Sequence, residues 1–127
     1  MSQIIQKYLA KGKEDMNLIQ KTIALQQTSF FKSLPDEVLY EIAKACKLKD
    51  YDPNENIIAE NDMGDNLYII IDGKVNAYKE GYLLSCLEPY ECFGELSLLA
   101  DIPITSTIVT QERTTLLAIN KQDFLSI

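Results

Sequence analysis

The residues best suited to chemistry stand together at Cys92-Phe93-Gly94-Glu95-Leu96-Ser97-Leu98-Leu99. Leu96 to Leu99 alternates too poorly for a strand and is too short for a packed helix. It reads as a short helical turn, entered through Gly94 and closed before Pro103. The first amides of such a turn have no partner within it and point outward as donors, which suits a phosphate or carboxylate. Gly94 lets a ligand come close to the backbone. Glu95 would repel that anion, and instead suits a sugar hydroxyl or an amine beside it, whose hydrogen bonds it accepts. The competing reading is structural: Leu96, Leu98 and Leu99 plug one mouth of the fold and Glu95 faces water.

Little else in the chain is reactive. There is no histidine, and no nucleophile–base pair or metal cluster can be assembled from the spacing. A binding module is therefore expected, not an enzyme. Cys92 would be a reactive thiolate if the neighbouring turn lowered its pKa; a packed thiol is the simpler reading. Cys46, Cys86 and Cys92 match no metal-ligand spacing and fit buried or half-buried free thiols in a reducing compartment.

Twelve Lys plus Arg against nineteen Asp plus Glu give a net charge of -7. Such a surface disfavours nucleic acid and acidic bilayers. No apolar run is long enough to cross a membrane and no export signal opens the chain, so a soluble, cytoplasmic chain is expected, either by itself or as the cytoplasmic domain of a membrane-associated protein. A length of 127 residues, 46% of them hydrophobic, suffices for one core. The chain stops at Asp123-Phe124-Leu125-Ser126-Ile127, where an amphipathic pattern has only begun. A fragment of a larger protein, with its C-terminal helix cut short, is the expectation.

The character of the sequence changes near Lys49. Before it, apolar residues recur at helical spacing: Met16, Ile19, Ile23 and Ala24 on one face, then Val38, Leu39, Ile42 and Ala43 on another. Residues 1–30 read as a helical segment of one or two helices, broken at Gly12. Ser33 is placed to cap a helix over Pro35 to Cys46, with Asp36 and Glu37 in its first turn. Phe30 and Phe31 would seal the joint to a β-rich part over residues 31–127.

There the period becomes two and turns become dense. Asp52-Pro53-Asn54-Glu55 is a turn, Ile57-Ile58-Ala59 a strand, and Leu67 to Ile71 a β-branched strand. Asp72-Gly73 predicts a hairpin returning through Lys74 to Tyr78. Tyr82 to Leu87, Ser106 to Thr110 and Thr114 to Ile119 complete the strands. Many short strands with close turns describe a roll or jelly roll flanked by helices.

In four segments the chain resembles the cyclic nucleotide-binding domain family, the β-roll of catabolite-activator-type regulators, protein kinase A regulatory subunits and nucleotide-gated channels. Phe31-Lys32-Ser33-Leu34-Pro35 resembles the start of the family's first roll helix, and Asn66 to Val75 its central hairpin. Phe93 to Leu99 resembles its phosphate-binding cassette, and Leu117 to Phe124 its last strand running into a helix. The resemblance implies a double-stranded β-helix fold, mainly β with flanking helices. It implies cyclic AMP or cyclic GMP as ligand, with no cofactor.

By the same resemblance, Glu95 would hold the ribose 2'-hydroxyl, and the amides of Leu96 and Ser97 would help hold the cyclic phosphate. Phe93 and Gly94 belong to the cassette, and Thr105, Ser106 and Thr107 follow it, Thr107 matching the family position best. The family's arginine after the proline is missing, because Pro103 is followed by Ile104. Arginine would offer a charged, planar donor fork to phosphate, and isoleucine offers none.

Two readings follow. One is a ligand-sensing module that binds a cyclic nucleotide or another small anion, weakly because of Ile104. The other is a degenerate, non-binding roll kept as a structural or docking domain. The run Asn17 to Gln27 also resembles the junction to a transporter or helical-repeat region in bacterial multidomain proteins, which would be the effector. The resemblance implies dimer contact through a long helix after Phe124, which leaves both homodimer and monomer open.

Overall fold

The computed structural model describes residues 16–127; the expected break at Gly12 lies outside them. Helix α1 (Leu18–Gln26) starts at Asn17, whose side-chain oxygen accepts the Gln20 amide at 2.8 Å. In return, Gln20 Oε1 accepts the Asn17 amide at 3.0 Å. The exchange satisfies two amides that the helix leaves without partners.

The face expected from Met16, Ile19, Ile23 and Ala24 is only half right: Met16 packs against the core, but the buried side is turned away from Ile19 and Ile23. Ala24 and Leu25 are buried, while Ile19 is 69% and Ile23 51% exposed. Two tethers set this rotation. Lys21 Nζ donates to the Cys46 carbonyl at 2.8 Å, and the buried Thr28 hydroxyl donates to the Leu25 carbonyl and accepts the Phe31 amide. The resulting turn drives Phe31 fully into the core.

Helix α2 (Asp36–Ala45) also departs from expectation at its start. Its N-cap is Pro35, with no side-chain cap, and the Pro35 carbonyl accepts the amides of Val38 and Leu39. Ser33 sits two residues too early to cap. Asp36 and Glu37 do occupy the first turn, where the helix dipole favours negative charge.

Eight strands follow: β1 (Lys47–Tyr51), β2 (Asn56–Ile58), β3 (Asn66–Asp72), β4 (Val75–Lys79), β5 (Tyr82–Leu87), β6 (Cys92–Phe93), β7 (Thr107–Thr110) and β8 (Thr114–Asn120). Helix α3 (Glu95–Ala100) lies between β6 and β7, and α4 (Lys121–Leu125) follows β8. The strands form two antiparallel four-stranded sheets, β1-β8-β3-β6 and β2-β7-β4-β5. This is a jelly roll with flanking helices.

The first sheet is covered on both faces, which explains why β3 and β8 are apolar throughout instead of alternating. Leu67, Ile69, Leu117 and Ile119 pack outward with Leu25, Phe31, Leu39 and Ile42 of the helical layer. Tyr68, Ile70, Leu116 and Ala118 pack inward with Val75, Ala77, Phe93 and Ile108. Helix α1 thus shares its core with the roll.

Asp72-Gly73 does not close a hairpin. β3 pairs with β8 and β6, whereas β4 pairs with β5 and β7 in the other sheet. The dipeptide is a corner at which the chain crosses between sheets. The β7–β8 connection crosses beside it: the Lys74 carbonyl accepts the Gln111 amide at 2.9 Å and the Thr114 hydroxyl at 3.2 Å. Local turn signals report a reversal of direction, and the register of β7 and β8 decides which strand becomes the partner.

Candidate ligand-binding cavity and family

Gly94 has φ +88 and serves as N-cap of α3. A Cβ there would lie 2.7 Å from the Asn66 carbonyl oxygen, so both backbone angle and space require glycine. Asp101, at φ +53, ends the helix. Inside this arch the buried Ser97 hydroxyl donates to the Ile102 carbonyl at 2.7 Å, so that side chain is committed to holding the arch. The chain then passes Pro103, bridged to Met63. Ile104 is fixed by its backbone: its amide donates to the Asp62 carbonyl at 2.8 Å, and its carbonyl accepts the Asn61 amide at 2.9 Å.

The arch closes over a cavity of about 220 Å³. Its floor is a row across the second sheet. Ile58 faces Ile108, Ile108 faces Ala77, and Ala77 faces Ser85. Leu87, two residues beyond Ser85, lines the same cavity. The walls are Cys92 to Ser97 on one side and Ile104 to Ser106 on the other.

Every site residue named from the sequence borders this cavity except Thr107. Thr107 is half-buried on β7, and its hydroxyl accepts the Glu60 amide at 3.1 Å. Cys92, singled out in the sequence for its place beside the turn, lines the cavity too, whereas Ile58, Ala77, Ser85, Leu87 and Ile108 were not anticipated. Period-two spacing marks the strands they sit on, but their convergence depends on pairing between strands distant in sequence.

Glu95 is half-buried, and it also borders a second cavity of about 350 Å³ lined by Ser29, Phe30, Tyr90, Glu91 and Cys92. Ile104 and Ile58 separate the first cavity from a third, of about 180 Å³, lined in part by Asp62, Asp65 and Asn66.

Burial pushes the Cys92 thiol up to about 12, and the Glu95 and Glu91 carboxylates push the same way. A packed, protonated thiol is therefore the state of Cys92; a thiolate activated by α3 is not. Burial likewise pushes Cys46 up to about 12, against the opposing charge of Lys21. Cys86, contrary to expectation, is exposed, because it lies on the edge strand β5.

A sequence model of the cyclic nucleotide-binding domain matches residues 48–127. The chain belongs to the cyclic nucleotide-binding domain family. It is 33% identical over 104 residues to a cGMP-dependent protein kinase of Plasmodium berghei (strain Anka), covering 82% of this chain and 12% of that protein. It is 27% identical over 114 residues to the cAMP-dependent protein kinase regulatory subunit of Yarrowia lipolytica, covering 90% of this chain and 30% of that one.

Among solved structures, the regulatory domain of Toxoplasma gondii PKA, co-crystallised with cAMP, superposes with a TM-score of 0.82 at 28% identity. That match covers 87% of this chain and 44% of the other. The chain thus spans less than a third of the curated relatives' length. The family is a ligand-binding module that recurs in kinase regulatory regions. No helix among the described residues is long and apolar enough to cross a membrane.

Proposed function

We propose that this domain is the ligand sensor of a larger cytoplasmic signalling protein. In this reading the cavity beneath α3 takes a cyclic nucleotide or a related small molecule, and Glu95 receives its sugar. The observation that supports this most is the placement of Gly94 and Glu95, glycine-enforced arch and half-buried carboxylate, at the wall of a formed cavity. Ile104 in the place of arginine weakens the hold on a cyclic phosphate. A charged hydrogen bond contributes roughly 1.5 to 3 kcal/mol, so its loss lowers affinity by about tenfold or more.

Occupancy would shift α3 and, through it, the start of α4. The curated relatives are kinases and kinase regulatory subunits, so we favour a kinase-type effector over the transporter or helical-repeat junction of a bacterial protein. Homodimerisation beyond Phe124 belongs to the same proposal.

The test is an amide NMR titration with cyclic AMP, cyclic GMP, adenosine and guanosine. Shifts are expected at Gly94 to Ser97 and Ile104 to Ser106, and they should vanish in Glu95→Ala. If none of the four probes moves these amides, the sensing role fails. The other reading, a roll kept as a docking or structural domain, then stands, and the buried apolar Ile104 is the observation that favours it.

A further inference from the structure

We infer that the cavity selects an uncharged nucleoside over the corresponding cyclic monophosphate. The inference rests on the cavity being the ligand site, and it adds the charge class of the ligand.

Among the described residues, Glu95 is the one charged side chain that lines the cavity. The position that would face a phosphate with a cation holds Ile104, which is 5% exposed. Beyond Ile104, the adjoining cavity brings Asp62 and Asp65 and no lysine or arginine. The single arginine of the sequence is Arg113; it sits in the β7–β8 turn beside Asp52, with its side chain 70% exposed. Lys121 reaches α3 from outside the cavity, paired with Asp101 and with its Nζ 3.4 Å from the Ser97 carbonyl.

A cyclic monophosphate entering here would shed water from a full negative charge and meet a carboxylate with no countercharge. Burying an unpaired charge is strongly unfavourable. A nucleoside carries no such charge, and it presents three sugar hydroxyls where a cyclic monophosphate presents one. Those hydroxyls can donate to Glu95. Thr105 and Ser106 line the same wall, and their own hydroxyls bond to no other described residue. Ile58, Ala77, Ile104 and Ile108 supply the apolar contact that a neutral ligand tolerates.

Calorimetric titration of the wild-type chain with adenosine, guanosine, cyclic AMP and cyclic GMP tests this. At least one nucleoside is expected to bind about tenfold or more tightly than its cyclic monophosphate. Ile104→Arg, checked for folding by circular dichroism, is expected to move that ratio toward the cyclic monophosphate by about tenfold. A cyclic monophosphate that matches or exceeds its nucleoside in the wild type overturns the inference and leaves the sensing role intact. A folded Ile104→Arg with an unchanged ratio overturns the charge argument. Failure of all four probes to bind overturns the inference and the sensing role together.

Discussion

Gly64 lies directly against Ile104: a Cβ built on Gly64 would stand 2.7 Å from Ile104 Cδ1 and 2.7 Å from the Ser97 Cβ. The loop between β2 and β3 therefore touches both limbs of the arch over the cavity, and its lack of a side chain is what lets them close. Gly64→Ala is expected to cost about 1 to 3 kcal/mol, the usual range for overpacking. Thermal unfolding followed by circular dichroism measures it. Introduced into an Ile104→Ala background, the same glycine substitution should cost less, because one of the two clashes is already relieved. A Gly64→Ala protein as stable as the wild type would show that the loop gives way freely.

Phe31 joins the helical layer to the first sheet. It is fully buried, its ring lies 4.8 Å from Phe30 and 6.2 Å from Phe124, centroid to centroid, and the Thr28 hydroxyl anchors its amide. Phe31→Ala should cost about 3 to 5 kcal/mol in urea unfolding. Phe30→Ala, at a half-buried position, should cost clearly less. Equal effects would remove Phe31 from its place at the joint.

The thiols should separate sharply. At pH 8, a disulfide reagent is expected to label Cys86 quickly, and Cys46 and Cys92 only when urea unfolds the chain. Burial pushes both the buried Cys46 and the half-buried Cys92 up to about 12, against an ordinary 9.0. Their protonated form is thus favoured by folding. The sign is fixed by proton count: between these values the folded chain holds protons that the unfolded chain has released. Stability should be insensitive to these thiols below pH 9 and should fall between pH 9 and 12. The slope is about 1.4 kcal/mol per pH unit for each thiol. Unfolding free energies across that interval, compared with a Cys46→Ala and Cys92→Ala double variant, isolate the effect.

Lys121 holds the far end of α3 through Asp101 and the Ser97 carbonyl, where a cation suits the negative end of the helix. Lys121→Met should speed amide exchange across Glu95 to Asp101 by about two- to fivefold, read by mass spectrometry. Exchange in β3 and β8 should stay as it was. Unchanged exchange in α3 would mean that the arch does not depend on α4.

Much of this architecture can be read from residue order, and its failures have a common origin. The strand at Leu67 to Ile71 and the helical turn after Gly94 depend on local composition and on one obligatory glycine, so both are visible in the chain. The pairing of β4 with β7 is not visible, because Asp72-Gly73 encodes a bend and that partner strand lies some thirty residues later. The exposure of Ile19 and Ile23 on α1 escapes for a similar reason: they have the right spacing, but Lys21 and Thr28 rotate the helix by bonding to groups whose positions only the fold supplies. In the site, the contiguous wall from Phe93 to Ser97 is legible. The opposing floor is not, since Ile58, Ala77, Ser85 and Ile108 meet only through cross-strand register.

That floor has an evolutionary corollary. Because each of four strands donates only one or two tiles to it, and the ladder beneath is built from backbone groups, any tile can be exchanged without rewriting the hydrogen bonds that hold the sheet. Depth and polarity of the chamber can drift one position at a time, so the same scaffold can turn to unlike molecules while its frame stays put.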